Sequence, residues 1–428
     1  LVAPATCLNH LERVLELWDH HATPRHDAQL VHRLWQTADL ASACGRNELA
    51  VDLARRAISE VESGRECDVA GDMRHGGAWG YERLGRFLWS LGRIDESAEM
   101  YALAAERLDE SGERAAAAAY AGLAQASLMF RRVERAEHWS KKALERALAD
   151  DADARSMALR VLGVVEVLRG DFESGLSHCR QSIEEPVAPH RRALAVAYLS
   201  IALHTAGRPA DAVTVALDGA AMAQRAGFES SFGAFLAGSA AHALIRLGLW
   251  DEADVVLTEM EGVDPVPVGA VQLHSASGLL AARRGQDDTA ASLVSRLTAA
   301  PTDPWHQVDA RLVPQLSALY VVAAVEQELD RRARREGGDA DALVAELRRL
   351  LERAEADPTA SAPTAAVDLA FARATLTRLV GADAAAFALA AARADEAGDR
   401  WSGAAARIQE AEAAAVAGDA ARAVDTLR

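Results

Sequence analysis

Lysine is almost absent from this chain, and basic residues as a whole are in the minority. Only two lysines occur in 428 residues, at Lys141 and Lys142, and neither belongs to the glycine-rich loop that cradles a nucleotide phosphate. Acidic residues outnumber basic ones by 63 to 46, which gives a net charge of −17. Because a nucleic-acid surface needs clustered cations, we expect no direct nucleic-acid contact in this segment.

Cysteines, aromatic residues and long apolar runs are also scarce. The four cysteines show no paired spacing, which favours reduced thiols in a cytoplasmic protein. No run approaches the ~18 apolar residues of a membrane span. Aromatic residues make up only 5% of the chain, whereas hydrophobic residues make up 50% and alanine is abundant. This composition predicts closely packed helices rather than sheets.

No residue pattern in the sequence indicates catalysis or metal binding. The residues around His75 resemble an esterase oxyanion motif, but no nucleophile elbow follows them. A histidine cluster occurs at His20, His21, His26 and His32. Its spacing does not place three rings on one helix face. We therefore predict no catalytic residue, no metal site and no cofactor, and keep as a third hypothesis that the glycine-rich residues 63–80 help to build a catalytic pocket.

The chain does contain a recurring pattern of two helices around a turn, seen most clearly over residues 81–104. Candidate turns recur about every 40 residues, at Gly45, Gly92, Arg131, Gly170, Gly207, Gly248, Gly285, Gly337, Gly381 and Gly418. The residue five positions after each turn is always small. The residue seven positions before it is small in every case except Asp330. Small side chains at two fixed points allow the backbones of two helices to approach closely.

This pattern resembles the tetratricopeptide repeat, a helix hairpin that buries its apolar face only against neighbouring copies. The resemblance implies an all-α, right-handed superhelical solenoid of about ten such hairpins. We expect N-terminal helices and a first repeat over 1–62 and a glycine-rich insertion loop over 63–80. Regular repeats follow over 81–325, then a divergent repeat and linker over 326–365, and alanine-rich repeats over 366–428.

In that family the first helix of each hairpin lines the inner, concave surface. Carrying the family's groove positions over to this chain gives the candidate ligand- or partner-binding set Trp79, Glu82, Arg86, Trp89, Gln125, Arg160, His204 and His242. The same positions also include Thr205, Arg246, Gln272 and Arg283. Trp79 and Trp89 on either side of Arg86 would make an amphipathic patch able to stack on a ring or a peptide side chain. The alternative is that both tryptophans pack between repeats.

Several further passages resemble the helical region of actinobacterial LuxR-type large ATP-binding transcriptional regulators, the group that includes maltose-responsive activators. These passages are 11–19, 81–92, 233–236, 303–305 and 404–426. The resemblance implies a non-enzymatic sensing domain whose groove binds a small-molecule inducer or a regulatory protein, with ATPase and helix-turn-helix modules outside this chain. Oligomerisation of the chain is compatible with the same resemblance. The alternative is a free-standing scaffold that clamps a peptide or helix of a partner protein.

Overall fold

In the computed structural model, α-helices joined by short turns make up nearly all of the residues that the structure describes. These residues are 4–21, 28–62, 76–111, 116–130, 132–148, 151–265, 267–284, 286, 313–335, 340–357, 360–397 and 399–428. No strand occurs among them, so the all-α fold class predicted from the sequence is confirmed.

The chain divides into two compact units. The first unit combines residues 1–127 and 134–158, and the second combines residues 128–133 and 159–428. The helices of the first unit are α1 (Pro4–His21), α2 (Ala28–Ala43), α3 (Asn47–Glu62), α4 (Gly76–Ser90), α5 (Ile94–Ser111), α6 (Ala116–Met129) and α7 (Val133–Arg146), and α8 (Ala152–Leu168) begins there and ends in the second unit.

The second unit continues the same alternation of first and second hairpin helices. Its helices are α9 (Phe172–Glu184), α10 (Pro189–Thr205), α11 (Pro209–Arg225), α12 (Ala234–Arg246), α13 (Trp250–Glu259), α14 (Pro267–Arg283), α15 (Val313–Ala333), α16 (Ala340–Glu355), α17 (Pro363–Thr377), α18 (Ala384–Glu396), α19 (Arg400–Val416) and α20 (Ala420–Leu427). A short π-helical turn, Glu229–Gly233, precedes α12. The first helices of its hairpins from α10 onwards are α10, α12, α14, α15, α17 and α19.

The predicted glycine turns are present wherever the structure describes them. All of them have the positive φ that side chains disfavour, at Gly45, Gly92, Gly170, Gly207, Gly248, Gly381 and Gly418. At the second hairpin the Gly92 amide donates to the Trp89 carbonyl at 2.9 Å, and the Arg93 amide donates to the Leu88 carbonyl at 3.0 Å. This is the bonding of a glycine-terminated helix end. The predicted turns at Arg131, Gly285 and Gly337 lie outside the described residues.

The two small-residue positions of the repeat face each other inside the hairpins. A Cβ added to Gly163 would lie 2.5 Å from the carbonyl oxygen of Gly175, and one added to Gly175 would lie 2.5 Å from that of Gly163. In the second hairpin the Ser97 hydroxyl donates to the Gly85 carbonyl at 2.7 Å. At Gly163 and Gly175 the backbones are so close that even the Cβ of alanine would clash, whereas the second hairpin leaves room for the side chain of Ser97.

The hairpin formed by α15 and α16 departs from the predicted register. Its residue with positive φ is Arg335, at φ 63°, two positions before the predicted turn residue. The side chain seven positions before Arg335 is Glu328, which is buried, whereas Asp330 is exposed. Counted from Arg335, the position seven residues earlier is therefore still a large acidic residue, so this hairpin lacks the small side chain that the repeat pattern places there.

Helix α4 begins within the predicted insertion loop, so the loop's last residues, 76–80, are helical. Gly80 packs closely on the preceding hairpin, since a Cβ there would lie 3.0 Å from both Trp35 and Ile58. The rest of the predicted loop lies outside the described residues. No helix in the described part of the chain combines the length and apolarity needed to cross a membrane.

Candidate functional site

In the first unit an arginine of α4 lies between two tryptophans. Cζ of Arg83 lies 4.6 Å from the ring centroid of Trp35 and 4.5 Å from that of Trp79, and its guanidinium pairs with the carboxylate of Asp39. Burial, followed by the nearby charge of Arg86, lowers the pKa of Arg83 to about 9. Trp79 keeps 37% of its surface exposed. We call Trp35, Asp39, Trp79 and Arg83 the Arg83 cluster.

The structure gives the residues of the predicted patch, Trp79, Arg86 and Trp89, different neighbours. The arginine that stacks on Trp79 is Arg83, one helical turn further along the same helix face, and its second tryptophan comes from the preceding hairpin. Arg86 instead pairs with Glu82, with 3.2 Å between Arg86 Nε and Glu82 Oε1. Trp89 is half-buried. The i,i+4 spacing from Trp79 was the sequence signal that could have identified Arg83.

Three of the predicted groove residues are buried among helices. Glu82 is 5% exposed, Gln125 on α6 is 4% exposed, and Arg160 on α8 is 1% exposed. Cζ of Arg160 lies 5.2 Å from the ring centroid of Tyr198. These three side chains therefore contact their own hairpins and neighbours rather than solvent.

The two predicted histidines lie together in the second unit. The ring centroids of His204 on α10 and His242 on α12 are 6.4 Å apart. Nε2 of His242 lies 2.8 Å from the Ser275 hydroxyl oxygen. Nδ1 of His204 is buried and has no hydrogen-bond partner among the described residues. A buried polar atom of this kind indicates a site for water or a ligand atom.

Burial makes both imidazoles neutral. It lowers the pKa of His242 to about 4, and the positive charge of Arg246 adds to the lowering. Burial likewise lowers the pKa of His204 well below its ordinary value, with further lowering from Arg246 and then His242. At pH 7 each ring can donate one hydrogen bond and accept another, but it carries no charge.

Both histidines line a cavity of about 60 Å³, which is room for roughly four water molecules. Every lining residue belongs to the first helix of a hairpin, on α10, α12, α14, α15 or α17. We call it the second-unit cavity. Its lining residues are His204, His242, Arg246, Ser275, Leu279, Arg283, Gln315, Leu316, Ala318, Leu319, Val322, Asp368 and Phe371.

One wall of the second-unit cavity is a buried ion-pair cluster centred on Arg246. Arg246 donates from Nη2 to Asp368 Oδ2 at 2.6 Å and from Nη1 to Asp399 Oδ2 at 2.5 Å. Burial acts to lower the pKa of Arg246, but the two carboxylates outweigh it and the net shift is upward. Asp399 also caps α19 by accepting from the Ser402 amide at 2.9 Å. This Arg246 cluster (Arg246, Asp368 and Asp399) joins α12 to hairpins 122 and 153 residues further along the chain.

A second arginine of the cavity, Arg283 on α14, has no ion-pair or hydrogen-bond partner among the described residues. Its Cζ lies 3.9 Å from the ring centroid of Trp401, which in turn lies 5.6 Å from the Trp250 ring. Burial, partly offset by the charge of Asp368, lowers the pKa of Arg283 to about 10. The cavity therefore holds one arginine that is fully paired and one that is not.

The groove positions of the repeat family include both Arg246 and Arg283, but they do not predict the residues that contact these arginines. Asp368, Asp399 and Trp401 lie on hairpins far along the chain, where the sequence offers no local signal for the pairing. In the described part of the chain, no group of three or more histidine, cysteine, aspartate or glutamate side chains is arranged to hold a metal ion.

The fold is that of helical-repeat proteins of the tetratricopeptide type. A Rap protein solved in complex with competence and sporulation factor superposes with a TM-score of 0.51 at 14% identity, over 82% of this chain and 99% of its own. The apo form of RapI gives 0.44 at 9% identity, over 82% and 98%. A tetratricopeptide repeat protein from Parabacteroides merdae gives 0.38 at 12%, over 65% and 97%. No family model matches the chain, and no curated protein matches it in sequence.

Proposed function

We propose that this chain is a non-enzymatic scaffold that holds a peptide or helix of a partner protein against the first helices of its second-unit hairpins. The observation that carries the proposal is the second-unit cavity, since five hairpins contribute to it and each does so only through its first helix. Half-buried apolar side chains, among them Leu279, Val322 and Phe371, surround a few convergent polar groups. This combination is typical of binding sites.

The structural comparison supports the same choice. The Rap protein that shares this fold was solved as a complex with a competence and sporulation factor, so a helical-repeat chain of this kind can hold a partner molecule. A clamp of stacked hairpins recognises an extended or helical segment through side chains placed at regular intervals. The inner helices of the second unit offer such intervals at each hairpin.

The regulator setting implied by the LuxR-type resemblance is compatible with this proposal and adds modules outside the chain. A phosphate-binding loop encoded upstream and a helix-turn-helix encoded downstream would make the scaffold the sensor of a transcription factor. Without them, it acts as a free-standing clamp. In both settings we place the protein in the cytoplasm, because its cysteines lack paired spacing.

The proposal is tested by selecting peptides that bind the purified chain from a random display library and measuring their affinity by fluorescence anisotropy. Val322→Glu places a charge beside the second-unit cavity, and we expect it to weaken binding about tenfold or more. The control is Val255→Glu on α13, a second helix, where the side chain is 56% exposed. It should leave the affinity unchanged. Failure to select any peptide, or equal loss in both variants, would overturn the proposal.

A further inference from the structure

Arg283 is the arginine of the second-unit cavity that has hydrogen-bond donors to offer a ligand. The flat guanidinium of Arg283 lies against the Trp401 ring, with 3.9 Å between Cζ and the ring centroid. Stacking on an aromatic ring occupies a guanidinium face and leaves the N–H donors, which lie in its plane, available. Arg283, His204 and His242 all line the second-unit cavity.

The other charged groups of the cavity do not satisfy Arg283. Asp368 and Asp399 both accept hydrogen bonds from Arg246, at 2.6 and 2.5 Å, and both histidines are neutral at pH 7. Arg283 is thus a cation that interacts with the charge of Asp368 but has no hydrogen-bonded carboxylate among the described residues. Burying an unpaired charge is costly, and a bound anion would offset that cost.

We infer that the second-unit cavity binds a carboxylate group, which accepts hydrogen bonds from Arg283 and is bordered by the unpartnered Nδ1 of His204. A planar carboxylate matches the fork of a guanidinium, and a cavity of about 60 Å³ admits a group of this size. The charges also favour a monoanion. The cavity already has two aspartates beside its two arginines, so a monoanion adds less negative charge than a phosphate dianion.

The carboxylate has two sources with the same chemistry, a free small acid or an acidic group of a partner peptide. In the second case the inference rests on the proposed function, and in the first it stands by itself. Propionate is the probe for the group alone, and propionamide is its uncharged isostere. Calorimetric titration and the melting temperature, both at constant ionic strength, report binding because a ligand stabilises the folded state by mass action.

We expect saturable binding of propionate, a rise in melting temperature, and neither effect with propionamide. Arg283→Gln should weaken propionate binding about tenfold or more, since a charged hydrogen-bond pair is lost. Arg283→Lys keeps the charge but not the fork and should give an intermediate loss. The matched control is Arg284→Gln, because Arg284 pairs with Asp251 and Asp254 on the protein surface. Its affinity should equal that of the unaltered chain.

Equal binding of propionate and propionamide, or equal affinity in Arg283→Gln and Arg284→Gln, would overturn the inference. If Arg283→Gln does not fold, as judged by circular dichroism, Arg283→Lys and His204→Phe replace it. Retention of full propionate affinity in both would also overturn the inference. His204→Phe keeps a ring of similar shape and removes Nδ1.

A third measurement separates the two sources and the two proposals. A peptide selected against the chain is compared with a copy in which its carboxylates are converted to amides. If conversion to amides lowers the affinity of the peptide for the unaltered chain but not for Arg283→Gln, the carboxylate belongs to the partner. Equal affinity of both peptides, together with propionate binding, assigns it to a free acid. Peptide binding without any propionate effect overturns this inference alone, and propionate binding without any selected peptide overturns the proposed function alone.

Discussion

The Arg83 cluster and the Arg246 cluster show two ways of burying an arginine in a helical-repeat chain. Among the described residues, Arg83 contacts its own helix and the preceding hairpin, through Trp35, Asp39 and Trp79. Its carboxylate partner is half exposed. Arg246 reaches two carboxylates that lie 122 and 153 residues further along the chain, and one of them, Asp399, is 2% exposed.

The two clusters stabilise different kinds of contact. Arg83 stabilises stacking, the packing of one hairpin on the next, and Arg246 stabilises closure, the contact between hairpins that are distant in sequence. Contacts such as those of Arg83 join one hairpin to the next, and each adds a local increment to stability. Within the second unit, the Arg246 cluster and the close approach of Gly207 to Ala397 join hairpins that are not neighbours in sequence. The second-unit cavity exists only because those hairpins meet, so its integrity depends on a few contacts.

The largest expected effect comes from removing Arg246. Arg246→Ala leaves two buried carboxylates without their cation, and we expect a loss of about 3–5 kcal/mol in the stability of the second unit. Arg83→Ala leaves only the half-exposed Asp39 and should cost roughly 1–2 kcal/mol through lost packing. Urea unfolding followed by circular dichroism measures both. Equal losses in the two variants would contradict the distinction between stacking and closure.

Two glycine turns, at Gly45 and Gly207, have the same backbone conformation but different surroundings. A Cβ at Gly207 would lie 2.5 Å from the carbonyl oxygen of Ala397, whereas a Cβ at Gly45 would meet nothing within 4 Å. Gly45→Ala should cost roughly 1 kcal/mol for the positive φ alone. Gly207→Ala should cost about 2–4 kcal/mol, because the backbone must also shift. Thermal melts of the two variants measure the difference, and equal melting temperatures would show that the Ala397 contact carries no energy.

Acid should weaken the second unit before the first. The pKa of His242 falls from 6.5 to about 4 on folding, so between these values the unfolded chain binds a proton that the folded chain does not. The stability that depends on neutral His242 is therefore fully present above pH 6.5. It is lost as the pH falls below that value, by up to about 1.4 kcal/mol per pH unit. The described histidines of the first unit are exposed, at His10, His20, His32 and His138.

The measurement is the free energy of unfolding between pH 7 and pH 5 for the unaltered chain and for His242→Gln. Glutamine keeps a hydrogen-bonding group near Ser275 and removes the titration. The variant should therefore show a shallower dependence on pH. An unchanged slope would mean that the pKa of His242 is the same in the folded and the unfolded chain, and it would contradict the lowering by burial.

The smallest expected effect is that of Trp79→Ala. Trp79 is 37% exposed, and Arg83 keeps Trp35 and Asp39 as partners when it is removed. We expect a loss of about 1 kcal/mol, the size of one partly exposed cation–π contact with its packing. Trp35→Ala, at a site only 4% exposed, should cost several times more by leaving a cavity. The reverse order would place Trp79, not Trp35, at the centre of the cluster.

Features set by contacts within one hairpin could be predicted from the sequence. Gly92 and its equivalents were predictable because only glycine adopts a positive φ cheaply, and Gly163 with Gly175 was predictable because two close backbones exclude larger side chains. Arg335 was not predictable, since a non-glycine residue with positive φ leaves no compositional signal. The nearby glycine therefore placed that turn two residues too late.

The candidate site was predictable only in part, for a physical reason that the Arg246 cluster illustrates. Repeat positions indicate which helix face a residue occupies, and they named Arg246 and Arg283. They do not indicate which distant hairpin meets that face, because small rotations between successive repeats accumulate along the chain. Asp368 and Asp399 are therefore visible only in the structure. Arg83 was missed for a simpler reason, since the family template does not include its position.

Hydrogen–deuterium exchange of the chain with a selected peptide tests most directly whether the inner helices of the second unit hold the partner. We expect slower exchange upon binding in α10, α12, α14, α15 and α17, with no change in second helices such as α11 and α13. Slower exchange confined to second helices, or to the first unit, would contradict it.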